Sequence, residues 1–447
     1  MPQQFNFSLI NLWCTKNLVD SQHFLGRLFD ISLKTPDYTL NYFTDPFDKN
    51  ADIVFVNTCG FISSWRDEAE QNVRKLLKAG KIVYLLGCAV QYYKQLQVSG
   101  SKLQVRNVHY LSRHDVTSVS LKDLMQWYNS TTFWNFEFSK GPRVYTNIED
   151  KFEYLKIAEW CDNHCSFCII PQLRWKQKSL AIEKILTEVK QMVDSWIEEI
   201  IVIAQDTTRY GTDLYGKPAL LELLKKIDAM KWNFKYRLLY LYPDIVTLKQ
   251  LQQLTKLKKF IPYFDVPLQH ISSSVLKKMG RFYDEGYIRK FLDQIKKLFP
   301  VHFIRTNLII WFPGETKEDF AQLKKFVQEE HFDNVALFEY HDEPLAASSK
   351  LPGKVPDKEI RRRFNEMKKI VESLRSTRAK MRKGKEEIGY IMDVERLRRW
   401  EIERLTIRPW LNCPEIDEYD KISVKQIIGC FDDSEELKIW DKIIYTI

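Results

Sequence analysis

The sequence predicts an α/β protein in three parts: an N-terminal α/β domain over residues 1–140, a partial (β/α)6 barrel with a trailing basic helix over 141–383, and a small C-terminal β-barrel over 384–447. Three observations lead there. Apolar strands alternate with a helix early in the chain. Six more apolar strands then recur at near-regular intervals with helical patterns between them. After a long basic helix, the remaining segment is short and strand-rich.

In the first part, strands are expected at 5–12, 52–58 and 81–86, with a helix near 66–79. Such alternation calls for a parallel sheet, because parallel neighbours need a crossover between them. In the second part, strands are expected at 154–159, 200–205, 236–242, 264–269, 303–310 and 334–340. Helices fall at 182–195, 219–230, 287–298 and 317–329. Six such units with right-handed crossovers curl into an incomplete barrel. The basic helix spans 356–383, and the strand-rich end runs from 387 to 447.

Composition narrows the class. With 447 residues, 45% hydrophobic and 28% charged, the chain can bury a large core. No apolar run approaches the ~18 residues of a membrane helix. The N-terminus shows neither a basic leader nor a cleavage site, so a cytoplasmic protein with no membrane association is expected. The net charge of +9 permits contact with RNA or a ribosome. Residues 358–385 hold twelve Lys or Arg against three Glu, a solvated helix face or one that meets RNA phosphates.

Cysteines stand at 14, 59, 88, 161, 165, 168, 413 and 430. In a reducing compartment they point to metal ligation or plain burial rather than disulfides. The strongest local signal is Cys161-Asp-Asn-His-Cys165-Ser-Phe-Cys168 after the first barrel strand. Three thiolates at this spacing can hold three irons of a cubane and leave the fourth iron open to a small molecule. Zinc would want a fourth ligand nearby, and His164 points the wrong way if the cysteines converge. Cys14, Cys59 and Cys88 each lie just past the end of a strand, the edge where open α/β sheets bind ligands. They either converge there or are three separately buried cysteines. Cys413 and Cys430 have no ligand-type neighbours and read as structural.

A cysteine motif after the first strand of a six-unit barrel is the pattern of the radical-SAM superfamily. The chain further resembles its methylthiotransferase branch, of the RimO type that modifies ribosomal protein uS12. The resemblance lies in Cys14-Thr-Lys-Asn-Leu-Val-Asp-Ser21, Val56-Asn-Thr-Cys-Gly-Phe-Ile62 and Leu86-Gly-Cys-Ala-Val-Gln91. It continues in Cys168-Ile-Ile-Pro171, Ile203-Ala-Gln-Asp-Thr-Thr-Arg-Tyr-Gly211, Asp265-Val-Pro-Leu-Gln-His270 and Phe312-Pro-Gly-Glu-Thr316.

The resemblance implies two [4Fe–4S] clusters, one on Cys161, Cys165 and Cys168 and an auxiliary one on Cys14, Cys59 and Cys88. It also implies S-adenosyl-L-methionine (SAM), an electron donor, and transfer of a methylthio group to the β-carbon of an aspartate of uS12. The last part, with Cys413-Pro-Glu-Ile-Asp417, resembles a TRAM domain. Phe167, Gln205, Gln269, Thr306 and Glu315 become candidate SAM contacts, whereas His270 reads as a satisfied barrel histidine. Two other readings stand beside this one: a methylthiotransferase acting on a tRNA adenosine derivative, and a non-catalytic RNA-binding metal protein.

One departure is systematic. Trp13, Trp160, Trp175, Trp196 and Trp311 stand where the family pattern has glycine, and Trp440 belongs with them. Glycine serves such places through positive φ and close backbone approach, which tryptophan does not offer. The chain has only 15 Gly but 12 Trp. This suggests a gene whose UGA codons are read as glycine and are written here as tryptophan. Strained backbone is then expected at these positions, with rings that crowd the SAM site or turn outward.

Overall fold

The computed structural model of the chain describes residues 3–12, 14–34, 38–95, 108–110, 142–173, 176–243, 246, 248–354, 357–398, 401–430, 440 and 442–447. Trp13 and Trp175 lie outside the described residues. Two compact units are formed. The first holds residues 1–146, 159–178 and 341–349, and the second holds 147–158, 179–340 and 350–447.

The first unit is built on a parallel sheet. Its strands are β1 (Gln3–Asn11), β2 (Tyr38–Tyr42), β3 (Ile53–Thr58), β4 (Ile82–Gly87) and β5 (Val108–Tyr110), in the order β2-β1-β3-β4-β5. The alternation Ile53-Val54-Phe55-Val56 sends successive side chains to opposite faces. One face packs Phe5, Phe7, Ile53 and Phe55 against Phe24, Leu25 and Leu28 of helix α1 (Thr15–Lys34). The other packs Val54, Val56, Val83 and Leu85 against Ala69, Val73 and Leu76 of α2 (Ser63–Lys78). Helix α1 and strand β2 go beyond what the sequence pattern shows. In α1 the polar Lys16, Asn17, Asp20, Ser21 and Gln22 are buried beside the apolar residues, which blurs its period, and β2 is only five residues long.

The second unit contains six parallel strands in sequential order: β6 (Phe152–Lys156), β7 (Glu199–Ile203), β8 (Lys235–Leu238), β9 (Phe260–Gln269), β10 (Phe303–Ile310) and β11 (Asn334–Glu339). This is the expected partial (β/α)6 arrangement. Its helices bury residues three and four apart, as Ile182, Ile185, Val189 and Met192 do, which is the period of a one-sided helix. Five antiparallel strands follow: β12 (Glu386–Arg398), β13 (Glu401–Pro409), β14 (Asp420–Ile422), β15 (Ile427–Cys430) and β16 (Lys442–Thr446). They enclose a core of Ile391, Leu405, Ile407, Ile422, Ile443 and Tyr445. No helix among the described residues is long and apolar enough to cross a membrane.

The basic helix, Asp357–Arg382, uses much of its charge inside this unit. Arg363 donates to Glu315, Arg378 pairs with Asp333, and Arg382 pairs with Glu387 and Asp420. A second clamp is fully buried. Glu199 at the start of β7 accepts from Arg237 of β8 at 2.6 Å and from Arg408 of β13 at 2.9 Å. Arg237 also donates to the carbonyls of Leu411 and Trp410. The antiparallel sheet is thereby fastened to the start of the parallel strands.

Burial alone would raise the Glu199 carboxyl, but the two guanidinium groups outweigh it and hold it below its ordinary value. Its contribution to stability is therefore complete above the unfolded-state value and is lost as pH falls through the lower folded value. Glu199→Gln should cost about 3–5 kcal/mol at neutral pH, because two buried cations lose their counter-charge. Urea unfolding across an acid series should show the gap between variant and parent narrowing as pH falls.

Candidate metal centre at the sheet edge

Register alone brings the first cysteine set together. Asn11 lies opposite Asn57, and Thr58 lies opposite Gly87, so β1, β3 and β4 end side by side. Parallel neighbours are about 4.8 Å apart. Cys59 directly follows β3, Cys88 directly follows β4 and opens the helix α3 (Cys88–Gln95), and Cys14 stands just before α1. The three thiols therefore occupy one edge of one sheet.

Buried polar groups lock that edge. Asn57 Nδ2 donates to the Asn17 carbonyl at 2.8 Å and to Ser21 Oγ at 2.9 Å, while Asn17 Nδ2 donates to the Thr58 carbonyl at 3.0 Å. Thr58 Oγ1 donates to the Leu86 carbonyl at 2.6 Å. Two glycines allow the close approach. A Cβ on Gly60 would lie 2.7 Å from the Cys88 carbonyl carbon. One on Gly87, at φ +88°, would lie 2.4 Å from Asn57 Oδ1.

The second cysteine set belongs to the same unit. The Cys168 N–H donates to the Cys165 carbonyl at 3.0 Å, which closes the loop into a turn. The Asn163 N–H donates toward Cys161 Sγ at 3.4 Å, which ties that sulfur to its own loop. Asp162 accepts from the Gln177 N–H at 2.8 Å, and the Ser166 carbonyl accepts from the Ser348 N–H at 2.8 Å. Just after Cys168, Ile169 and Leu173 pack with Tyr92 and Ala346, and Phe61 and Cys88 join that cluster. Both cysteine loops thus lean on one apolar patch.

Residues 341–349 join the two loops, a role the sequence pattern does not announce. Glu343 accepts from Arg66 Nη2 and from the Ser63 N–H, both at 2.8 Å, and Arg66 Nη1 donates to the Gly60 carbonyl at 2.9 Å. The Arg66 guanidinium lies 3.8 Å over the Tyr92 ring. A few residues on, Ser348 grips the loop of Cys165. The acidic residue sits far from either motif in sequence, so only the fold reveals the link.

Whether these residues suit iron–sulfur clusters can be judged from the donor set. None of the six cysteines is in a disulfide, and all but the buried Cys59 are partly exposed. Among the described residues, no three His, Cys, Asp or Glu side chains converge as a single metal ion would need. In a cubane each thiolate takes its own iron, so three thiolates surround a cluster rather than meet at a point. Three thiols in each set are the kind of donor an iron–sulfur cluster takes, one thiolate to each of three irons. Cys413, by contrast, is fully buried and its thiol is pushed up by burial, in keeping with a structural residue.

The candidate SAM contacts divide. Gln205 follows β7 and is half-buried, and its Oε1 has no hydrogen-bond partner among the described residues. Gln269 ends β9 at φ +71°. Phe167 lies between Ser166 and Cys168 in the cysteine loop. Thr306 is engaged within the sheet, donating to the Val266 carbonyl at 2.8 Å. Glu315 braces its own loop, accepting from the Trp311 N–H at 2.7 Å and from Arg363 Nη1 at 2.8 Å. His270 is buried, accepts from the Ser272 N–H at 3.0 Å, and is held neutral by burial, its pKa lowered to about 3.

Comparison with known proteins agrees with this geometry. Residues 155–327 match the radical SAM superfamily, and residues 6–106 match the uncharacterized protein family UPF0004. The class is a radical-SAM protein with a UPF0004 domain in front. The ribosomal protein uS12 methylthiotransferase RimO of Clostridium tetani is 36% identical, with 80% of each chain covered. That of Carboxydothermus hydrogenoformans is 34% identical over 94% of this chain and 93% of its own. This chain belongs to the uS12 methylthiotransferase RimO family. In fold it is also similar to the radical SAM methyltransferase TsrM from Kitasatospora setae, with a TM-score of 0.53 and 10% identity over 78% of this chain and 77% of that one.

Gly87→Ala tests the close approach at the sheet edge. Positive φ and the Asn57 contact should cost about 1–3 kcal/mol. The loosened edge should also speed alkylation of Cys88 in the metal-free protein, read by mass spectrometry, and an unchanged rate would contradict the packing described.

Proposed function

We propose that this chain is a cytoplasmic methylthiotransferase that adds a methylthio group to the β-carbon of an aspartate of ribosomal protein uS12. The observation that supports it most is the presence of two all-cysteine triads in one compact unit, joined through Arg66 and Glu343. Cys161, Cys165 and Cys168 would hold a [4Fe–4S] cluster with SAM on its open iron, and Cys14, Cys59 and Cys88 a second cluster. When bound, these groups supply the electron that cleaves SAM and the sulfur that is inserted.

The chain's own residues arrange the site. The Asn163 N–H donates toward the Cys161 sulfur and helps to fix its position in the loop. Gly60 and Gly87 keep the backbones of the auxiliary loops close. Ile169, Leu173, Tyr92 and Ala346 form a buried apolar patch against which both loops pack. Gln205 and Gln269 at strand ends, with Phe167 in the cysteine loop, are the proposed SAM contacts. Thr306 and Glu315 remain candidates whose side chains already bond within the sheet and to Trp311 N–H and Arg363.

Separate duties for the triads give a direct test in reconstituted, anaerobic protein. Cys165→Ala should reduce SAM cleavage to background. Cys59→Ala should leave SAM cleavage measurable while methylthio insertion stops. Equal loss of cleavage in both variants would contradict this division.

A further inference from the structure

Nine non-glycine residues among those described have positive φ, and four of them are tryptophan: Trp160, Trp196, Trp311 and Trp440. Their φ values, +67° to +77°, fall beside the +69° to +88° of eight glycines in the same chain. Only seven tryptophans are described at all. A few per cent of non-glycine residues adopt such a backbone, and bulky ones are true outliers, so four in seven by chance is on the order of one in ten thousand.

The clearest of these positions ends a helix. After Ile182–Asp194, the Trp196 N–H donates to the Val193 carbonyl and the Ile197 N–H to the Met192 carbonyl, at 3.0 and 3.1 Å. That is the Schellman closure, whose left-handed residue is usually glycine. Two other helices of this chain end the same way. Gly80 donates to Leu77 with Lys81 to Leu76, and Gly280 donates to Lys277 with Arg281 to Leu276. Both of those place glycine where the third places tryptophan. The Trp196 ring gains nothing there, being 82% exposed.

The buried cases fit poorly as tryptophan. The indole N–H groups of Trp311 and Trp440 are buried without a hydrogen-bond partner among the described residues, whereas a buried indole ordinarily finds one. Trp311 packs under the Arg363 guanidinium at 4.2 Å, so its ring is placed but its N–H is left over. Composition points the same way. The 15 glycines in 447 residues are about half the usual ~7%, so the chain is short of glycine.

We propose that positions 160, 196, 311 and 440 are glycine in the protein as its own cell makes it, encoded by UGA codons that the cell reads as glycine. Trp65, Trp232 and Trp410 lack positive φ and are not part of this set. The inference stands on backbone conformation and does not rest on the proposed reaction. One consequence touches the site: position 160 directly precedes Cys161, and glycine there lets the chain turn into the cysteine loop without strain.

Peptide mass spectrometry of the chain isolated from its native cell decides the matter. Peptides covering 160, 196, 311 and 440 should each carry the mass of glycine; the mass of tryptophan at any of them overturns the proposal. The structural premise has its own test in the recombinant chain as written. W196G should raise the folded-to-unfolded ratio about five- to thirtyfold, since a left-handed non-glycine residue costs about 1–2 kcal/mol. An unchanged or lowered ratio would remove the backbone argument. Trp196 is exposed and belongs to the compact unit that does not carry the cysteine loops.

Discussion

The parallel pairing of β1, β3 and β4 is the constraint on which the candidate site depends. It sets three strand ends level, so cysteines separated by dozens of residues emerge at one edge. The Asn57 amide converts that alignment into a fixed arrangement, because it satisfies the carbonyl and hydroxyl of the α1 segment that begins beside Cys14. Without such partners, the turns carrying Cys14 and Cys59 would each bury unsatisfied backbone groups. The edge is thus held by backbone chemistry before any metal is present.

Much of this was legible in sequence because it is local or periodic. The spacing of Cys161, Cys165 and Cys168 states its chemistry in one loop, and the six barrel strands announce themselves as apolar runs. The sheet-edge position of Cys14, Cys59 and Cys88 followed from each cysteine standing just past a strand. What sequence did not show depends on contacts between distant residues. Glu343 reaches Arg66 across 277 positions, and nothing near either residue signals the pairing. Helix α1 buries the polar Asn17, Asp20, Ser21 and Gln22 along with Phe24 and Leu28, so its apolar period does not stand out.

Polar residues near strand ends were the least readable. Thr306 and Glu315 resemble Gln205 and Gln269 in sequence position, yet they are turned into the protein by demands invisible to a pattern. A backbone N–H at position 311, held in a left-handed conformation, needs an acceptor, and Glu315 supplies it. Gln205 Oε1 is instead buried with no hydrogen-bond partner among the described residues. The tryptophans show the reverse. Their oddity was visible as a composition, but only the backbone shows that four of them occupy glycine conformations.

The central claim is that the two triads serve the modification of a ribosomal protein, and the product itself tests it most directly. Mass spectrometry of uS12 and of tRNA should be compared between cells with and without this gene. The account predicts that deletion removes a methylthio group from one aspartate of uS12 and leaves tRNA modification unchanged. An unaltered uS12 together with loss of methylthio from a tRNA adenosine derivative would contradict it.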